Sequence, residues 1–251
     1  MILSALPLAL AACVSDSTFA ITEPRVGALA SRSVQRIATD LNGAMAYCSA
    51  VPLPRGRLLT CAHCLPETWR PPAGNVGTVT LADGTQIMIP LFLGENHARW
   101  TGVATACGED WVALAAAEGG AQIDGSPPPR YDPFHEVAVG DVVYMAGFPI
   151  RDGYHPNKGP PLTVLRARVE SVAPGVFTAR LSDSAGRFPP PRAGIARRLV
   201  GLSGGAALVV IDEEPVVIGM CQTAIETGVP GISTGIQLRV IRPTTGLESH
   251  W

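Results

Sequence analysis

Charged residues are scarce in this sequence, 16% of the chain, and the two signs nearly cancel, with 19 Lys+Arg against 21 Asp+Glu. Without a global field of either sign, binding to nucleic acid is not expected, and an anionic membrane surface has nothing to attract. Long apolar runs are also missing. Met1 to Ala12 is apolar but shorter than a bilayer span, and no later stretch is longer. No repeat of fixed period and no added recognition domain is evident. What is plentiful is Gly (27) and Pro (23). That mixture suits many short strands joined by tight turns better than long helices, and it points to an all-β fold. The 251 residues suffice for one large domain or two small lobes.

The apolar start has the length of an export signal's hydrophobic region, although it lacks the usual basic residues before it. It ends in Leu10-Ala11-Ala12-Cys13, which resembles a bacterial lipobox, where the cysteine is lipidated and becomes the mature N-terminus. An ordinary signal cleaved after Ala20, or a mis-assigned start, reads the same. On any export reading the body lies outside the cytoplasm, with residues 1–20 as leader and Cys13 as the point of membrane anchoring if it is lipidated. Residues 21–42 read as an approach segment, with a short helix around Ser33 to Leu41 and, at Arg25-Val26-Gly27, a superficial likeness to an activation site.

Strand-like runs then recur, bounded by Gly, Pro, Asn or Asp: Ala46 to Leu53, Arg57 to Ala62, Gly77 to Leu81, Gln86 to Leu93 and Trp111 to Ala115, with Asp83-Gly84 as a hairpin signal. Residues 119–136, which include Pro127-Pro128-Pro129, read as a linker. Beyond it the pattern resumes at Asp141 to Phe148, Leu162 to Val172, Val176 to Leu181, Ala206 to Val210, Val216 to Gln222 and Ile232 to Ile236, with a surface loop over Ser182 to Arg198. Two groups of five or six strands flank the linker. Periodicity alone allows two small barrels or one sandwich.

Acyl transfer needs a hydroxyl with a base in reach, a third group that sets the imidazole tautomer, and backbone N–H groups aimed at the developing oxyanion. Gly201-Leu202-Ser203-Gly204-Gly205 can supply nucleophile and donors together, since flanking glycines permit the sharp turn that exposes a serine. A Gly-Ser turn in a glycine-rich protein would look the same. The histidine of Leu58-Leu59-Thr60-Cys61-Ala62-His63-Cys64 stands where an apolar strand ends, and Glu109-Asp110-Trp111-Val112-Ala113-Leu114 puts a carboxylate at the mouth of another. Cys61, His63 and Cys64 are also zinc-type ligands. Neither the other cysteines nor His97 adds the second close pair that a structural zinc site uses, so no metal and no cofactor are expected.

Thr60 to Cys64 resembles the Thr-Ala-Ala-His-Cys motif of the trypsin/chymotrypsin family, with Cys61 the single departure, and the segment from Asp110 is similar to the family's Asp-Ile-Ala-Leu. The order His63, Asp110, Ser203 is the family's order. The resemblance covers about residues 44 to 240. It implies two six-stranded Greek-key β-barrels, residues 43–118 carrying His63 and Asp110 and residues 137–251 carrying Ser203 and the specificity pocket, with the active site in the cleft between them. The implied activity is that of a serine endopeptidase acting on polypeptides, with Gly201 and Ser203 N–H groups as the oxyanion hole. A monomer is expected. The family's cysteine after the histidine pairs with one fifteen residues before the histidine, and Cys48 stands there, so a Cys48–Cys64 disulfide is implied. Cys61 and Cys107 just precede His63 and Asp110, so a second bridge between them is expected if those side chains meet, leaving Cys221 a buried thiol.

Departures matter as much. Leu202 stands where many members have the aspartate that a newly freed N-terminus pairs with, so that ion pair cannot form and the oxyanion hole is expected to form without proteolysis. Cys221-Gln222-Thr223-Ala224 resembles the strand that pairs with substrate backbone. Arg197 replaces the trypsin group's specificity acid, which disfavours basic P1 residues, and Pro230-Gly231-Ile232-Ser233-Thr234 is similar to the pocket's far wall. The rival reading is an inactive, protease-shaped binding protein. An α/β-hydrolase esterase is disfavoured because its triad runs Ser, Asp, His.

Overall fold

The computed structural model describes residues 24–41, 44–66, 88–94, 98–117, 128–150, 160–182, 199–229 and 232–244. The leader with Cys13, the strand expected at Gly77 to Leu81, the Asp83-Gly84 hairpin, the first half of the linker (residues 119–127), the 183–198 loop with Arg197, and Pro230-Gly231 lie outside them.

A short helix α1 (Pro24–Ala30) precedes β1 (Gln35–Leu41), β2 (Ala44–Leu53), β3 (Arg57–Thr60), β4 (Met88–Leu93), β5 (Ala98–Gly108) and β6 (Trp111–Ala116). These six strands close into a barrel in the order β1-β2-β3-β6-β5-β4, every pairing antiparallel. After β7 (Arg130–Tyr131) come β8 (Val142–Gly147), β9 (Thr163–Ala173), β10 (Val176–Leu181), β11 (Ala206–Ile211), β12 (Glu214–Val229) and β13 (Ile232–Ile241). They form a ring β8-β9-β10-β13-β12-β11, closed by the β11–β12 pairing. Counted within each barrel, the order is 1-2-3-6-5-4 both times: three meandering strands, then a fourth that returns beside the first, the Greek-key arrangement. The two-barrel all-β architecture is therefore the one the motifs implied.

Period-two alternation builds three cores from these strands. Leu58, Val112 and Leu114 fill the first barrel, while their neighbours Leu59, Trp111 and Ala113 face outward into a core shared with Ala146, Val164, Ala206, Leu208 and Met220 of the second barrel. Phe177, Leu202, Leu238 and Val240 belong to the third, inside barrel two. Helix α1 contributes Val26 and Ala30 to the shared core.

Three expectations are corrected. Residues 35–41 are strand β1, not helix; Ile37 is fully buried in the first barrel, and closing that barrel outweighs local helix propensity. The first barrel thus begins inside the expected approach segment. β5 was not read as a strand at all, because Gly102, Ala104, Ala106 and Gly108 dilute the β-branched signal. β7, within the expected linker, pairs in parallel with β12 at Val216 and Val217. No helix among the described residues is long and apolar enough to cross a membrane.

Candidate active site

β3 stops at Thr60, two residues before the strand was expected to end, and Ala62–Cys64 form one turn of 3₁₀-helix. That turn carries His63 and is held from two sides. Cys64 is bridged to Cys48 of β2 with a Cα–Cα separation of 6.0 Å, the disulfide the resemblance implied. On the other side, Ala62 N–H donates to the Asp110 carbonyl at 3.2 Å and His63 N–H donates to Asp110 Oδ1 at 3.1 Å.

Asp110 occupies the two-residue turn of the β5–β6 hairpin, since Gly108 pairs with Trp111. Its neighbour Glu109 lies in the same turn and is exposed. The Asp110 carboxylate meets His63 Nδ1 at 3.0 and 2.9 Å and receives a third group, the Gln222 Nε2 donor, at 2.7 Å. Burial acts to raise the Asp110 pKa, but hydrogen bonds from His63 and Gln222 and the imidazole charge outweigh it, and the net shift is downward. The side chain retains 20% exposure, against 41% for His63, so the imidazole is the more accessible member of the pair.

Ser203 arrives from the second barrel on the 199–205 turn. Gly201 (φ 96°) and Gly204 (φ 81°) adopt the left-handed region that favours glycine. Space demands glycine there as well: a Cβ on Gly201 would lie 2.7 Å from the Phe148 carbonyl, and one on Gly204 would collide with the Ser49 carbonyl. Ser49 N–H of the first barrel donates to Ser203 O at 2.9 Å, and Cys64 Sγ lies 3.7 Å from that same carbonyl oxygen. The serine loop and the histidine turn thus meet across the barrel boundary. The Ser203 hydroxyl donates to the Gln222 carbonyl at 3.1 Å, its one partner among the described residues. Among those residues nothing accepts from the N–H of Gly201 or of Ser203.

Gln222 was expected only to line the substrate strand. In the structure the β12–β13 register slips between Cys221 and Thr223, leaving Gln222 out of the ladder as a bulge, with its side chain on Asp110 and its carbonyl on Ser203. No pattern in a single sequence announces that slip. Thr223 and Ala224 stay in the strand, opposite Arg239 and Leu238.

The second disulfide is not formed: Cys61, Cys107 and Cys221 are buried thiols outside any disulfide. Thr60, Val112 and Cys107 lie in one cross-strand row over β3, β6 and β5. Cys61 follows Thr60, so alternation turns it to the shared core while Cys107 points into the first barrel. The Cys61 thiol donates to the Cys221 carbonyl at 3.4 Å. Burial, together with the nearby Asp110 and Cys221 charges, pushes the Cys61 thiol well up, and burial pushes Cys221 up to about 12. Ligand atoms of Cys61, His63 and Cys64 lie within 4.8 Å of one another, but Cys64 is committed to the disulfide, so the group is short of a zinc ligand set.

No protein-family model matches the sequence, and no curated protein matches it. Among solved structures the fold is similar to the active form of the Rv3671c protease from M. tuberculosis, at 17% identity over 86% of this chain and 78% of that one, with a TM-score of 0.49. It is similar to the protease Anisep from Arthrobacter nicotinovorans, at 14% identity over 87% and 93% of the two chains, TM-score 0.48. The scabies mite inactivated protease paralogue S-I1 is similar as well, at 13% identity over 88% and 92%, TM-score 0.47.

Proposed function

We propose that this chain is a serine endopeptidase that cleaves polypeptides through an acyl-enzyme, with Ser203 as nucleophile, His63 as general base and Asp110 holding the imidazole. The observation that carries the reading is the doubly contacted His63–Asp110 pair, at 2.9 and 3.0 Å, set where a serine loop with two N–H groups that have no acceptor among the described residues crosses from the other barrel. With Nδ1–H donated to Asp110, the imidazole keeps Nε2 as the acceptor that a base requires. The Ser203 hydroxyl leaves the Gln222 carbonyl, gives its proton to Nε2 as Oγ attacks the scissile carbonyl, and the N–H groups of Gly201 and Ser203 receive the oxyanion. His63 then returns the proton to the leaving amine, and water repeats the sequence on the ester. Thr223 and Ala224 on β12 are the edge to which substrate backbone adds.

One observation favours the rival reading of a protease-shaped binding protein: the serine hydroxyl is bonded to Gln222 rather than to the histidine. A fluorophosphonate probe decides between them. The enzyme reading expects labelling of the wild type and none of Ser203→Ala; equal labelling of both, or none of either, leaves the binding protein. The remaining sequence expectations enter as part of the proposal: export to an oxidising compartment, which suits the Cys48–Cys64 bridge, lipid attachment at Cys13, a monomeric enzyme, and a P1 preference other than basic because of Arg197.

A further inference from the structure

Leu202 removes the ion pair that the trypsin-like resemblance would use to shape the oxyanion hole, yet the loop is held at every carbonyl from residue 200 to 203. Val200 O accepts from Ile150 N–H at 2.7 Å, Gly201 O from the Ser49 hydroxyl at 2.8 Å, Leu202 O from Gly205 N–H at 2.8 Å and Ser203 O from Ser49 N–H at 2.9 Å. In a trans peptide the N–H points opposite to the carbonyl, and no described peptide is cis. Pinning Val200 O therefore directs Gly201 N–H, and pinning Leu202 O directs Ser203 N–H, the two donors that lack acceptors among the described residues.

Two of those four anchors come from one residue of the other barrel. Ser49 is fully buried, and its hydroxyl, besides donating to Gly201 O, accepts the Phe148 N–H at 2.9 Å, which fixes its rotamer. Thr60 Oγ1 donates to the Ser49 carbonyl at 2.7 Å, so the residue is gripped on its backbone as well. Space for the hydroxyl is made by Gly147, where a Cβ would stand 2.8 Å from Ser49 Oγ and 2.7 Å from Leu202 Cδ1. Leu202 itself is buried in the second barrel's core, where it serves as an apolar anchor. Adjacent residues of β2 thereby serve both halves of the site: Cys48 grips the histidine turn through its disulfide, and Ser49 grips the serine loop.

We propose that Ser49 is the positioning residue that locks the two peptides following those of the donors, 201–202 through Gly201 O and 203–204 through Ser203 O, so that the serine loop keeps Gly201 N–H and Ser203 N–H facing the cleft, the hole is formed constitutively and no freed N-terminus is needed. The proposal rests on Ser203 being the nucleophile, and it concerns how that site is kept assembled. Ser49→Ala leaves Gly201 O without its donor and Phe148 N–H without its acceptor, which frees the loop to turn. Misdirecting one donor of the pair affects the transition state far more than the bound substrate.

The test is kcat and KM of wild type and S49A on a peptide substrate, with enzyme concentration set by active-site titration so that misfolded material does not count. We expect kcat to fall about 10- to 100-fold, somewhat less than for complete loss of a donor, with KM held within about twofold. Affinity for a substrate-derived peptide boronic acid should fall by a similar factor. A wild-type kcat in S49A, or a loss confined to KM, overturns the role of Ser49 while leaving the peptidase reading intact. A wild type that neither cleaves peptides nor takes up fluorophosphonate overturns that reading, and this proposal with it. Should S49A not fold, amide hydrogen exchange in the unaltered protein decides: Phe148 N–H must be as strongly protected as Ile150 N–H, and fast exchange at Phe148 alone sinks the proposal.

Discussion

At the scale of single residues, Asp110 is the most heavily used polar group of the site. It takes the His63 main-chain N–H, the His63 ring and the Gln222 amide, and these partners hold its pKa below the usual carboxylate value despite burial. A carboxyl whose folded pKa is depressed stabilises the fold above its unfolded value, about 3.9, and that contribution disappears as pH falls through the lower folded value. The Tm difference between wild type and Asp110→Asn should therefore be largest near neutrality and close on acidification below about pH 4. A gap that persists or widens at pH 3 would contradict it. Under the peptidase reading the same substitution should lower kcat by about 10⁴-fold, because asparagine can present the imidazole with the wrong hydrogen-bonding partner. The likeness of the segment from Asp110 to the family's Asp-Ile-Ala-Leu was enough to nominate Asp110. It was silent on Gln222, whose role depends on a bulge.

Among elements, the serine loop is shaped by backbone conformation and by the space left against β2. Gly204 has positive φ, its N–H donates to the Cys221 carbonyl at 2.8 Å, and the place of its missing Cβ is taken by Ser49 O and Thr60 Oγ1. Gly204→Ala should thus cost more than about 2 kcal/mol of stability through strain and collision together, and displace Ser203 from the β2 edge. Urea unfolding measures the first effect; a midpoint near that of wild type would refute the account. β5 teaches a related lesson. Gly102 and Gly108 look like strand breakers, yet the rings of Trp100 and Trp111 lie over them where a Cβ would intrude. Small residues in this strand are sites of ring packing, and a reading based on β-propensity passes over it.

For the whole molecule, the two barrels share a continuous apolar core and are also bolted together by polar contacts. Arg36 of β1 is buried; it donates through Nε and Nη2 to Gly94 O at 3.2 and 2.6 Å and through Nη1 to Pro160 O at 3.3 Å, and its guanidinium lies 6.0 Å from the Phe148 ring centroid. Each of the three cores holds one thiol outside the disulfide: Cys107 in barrel one, Cys61 at the interface, Cys221 in barrel two. Burial raises all three thiol pKa values, so the nucleophilic thiolate is scarce as well as shielded. In native protein at pH 8 they should resist iodoacetamide, and with rising urea they should become reactive at one shared midpoint, as expected if the interface makes the barrels a single cooperative unit. Labelling of Cys107 well before Cys221, followed by peptide mass mapping, would mean that the barrels open separately.

The sequence by itself pointed to the all-β character through its Gly- and Pro-rich, strand-patterned composition, and its resemblance to the trypsin/chymotrypsin family nominated His63, Asp110 and Ser203 and implied the Cys48–Cys64 pairing that the structure contains. Within that resemblance, Leu202 leaves no carboxylate at that place for a freed N-terminus to pair with. Tertiary structure alone decided that residues 35–41 are a strand, that Cys61 and Cys107 face different cores, that Gln222 turns onto Asp110, and that Ser49 holds the serine loop. Those outcomes depend on barrel closure and on register between strands far apart in the chain, where one residue of slip reverses the face a side chain shows. Local pattern does not carry that information.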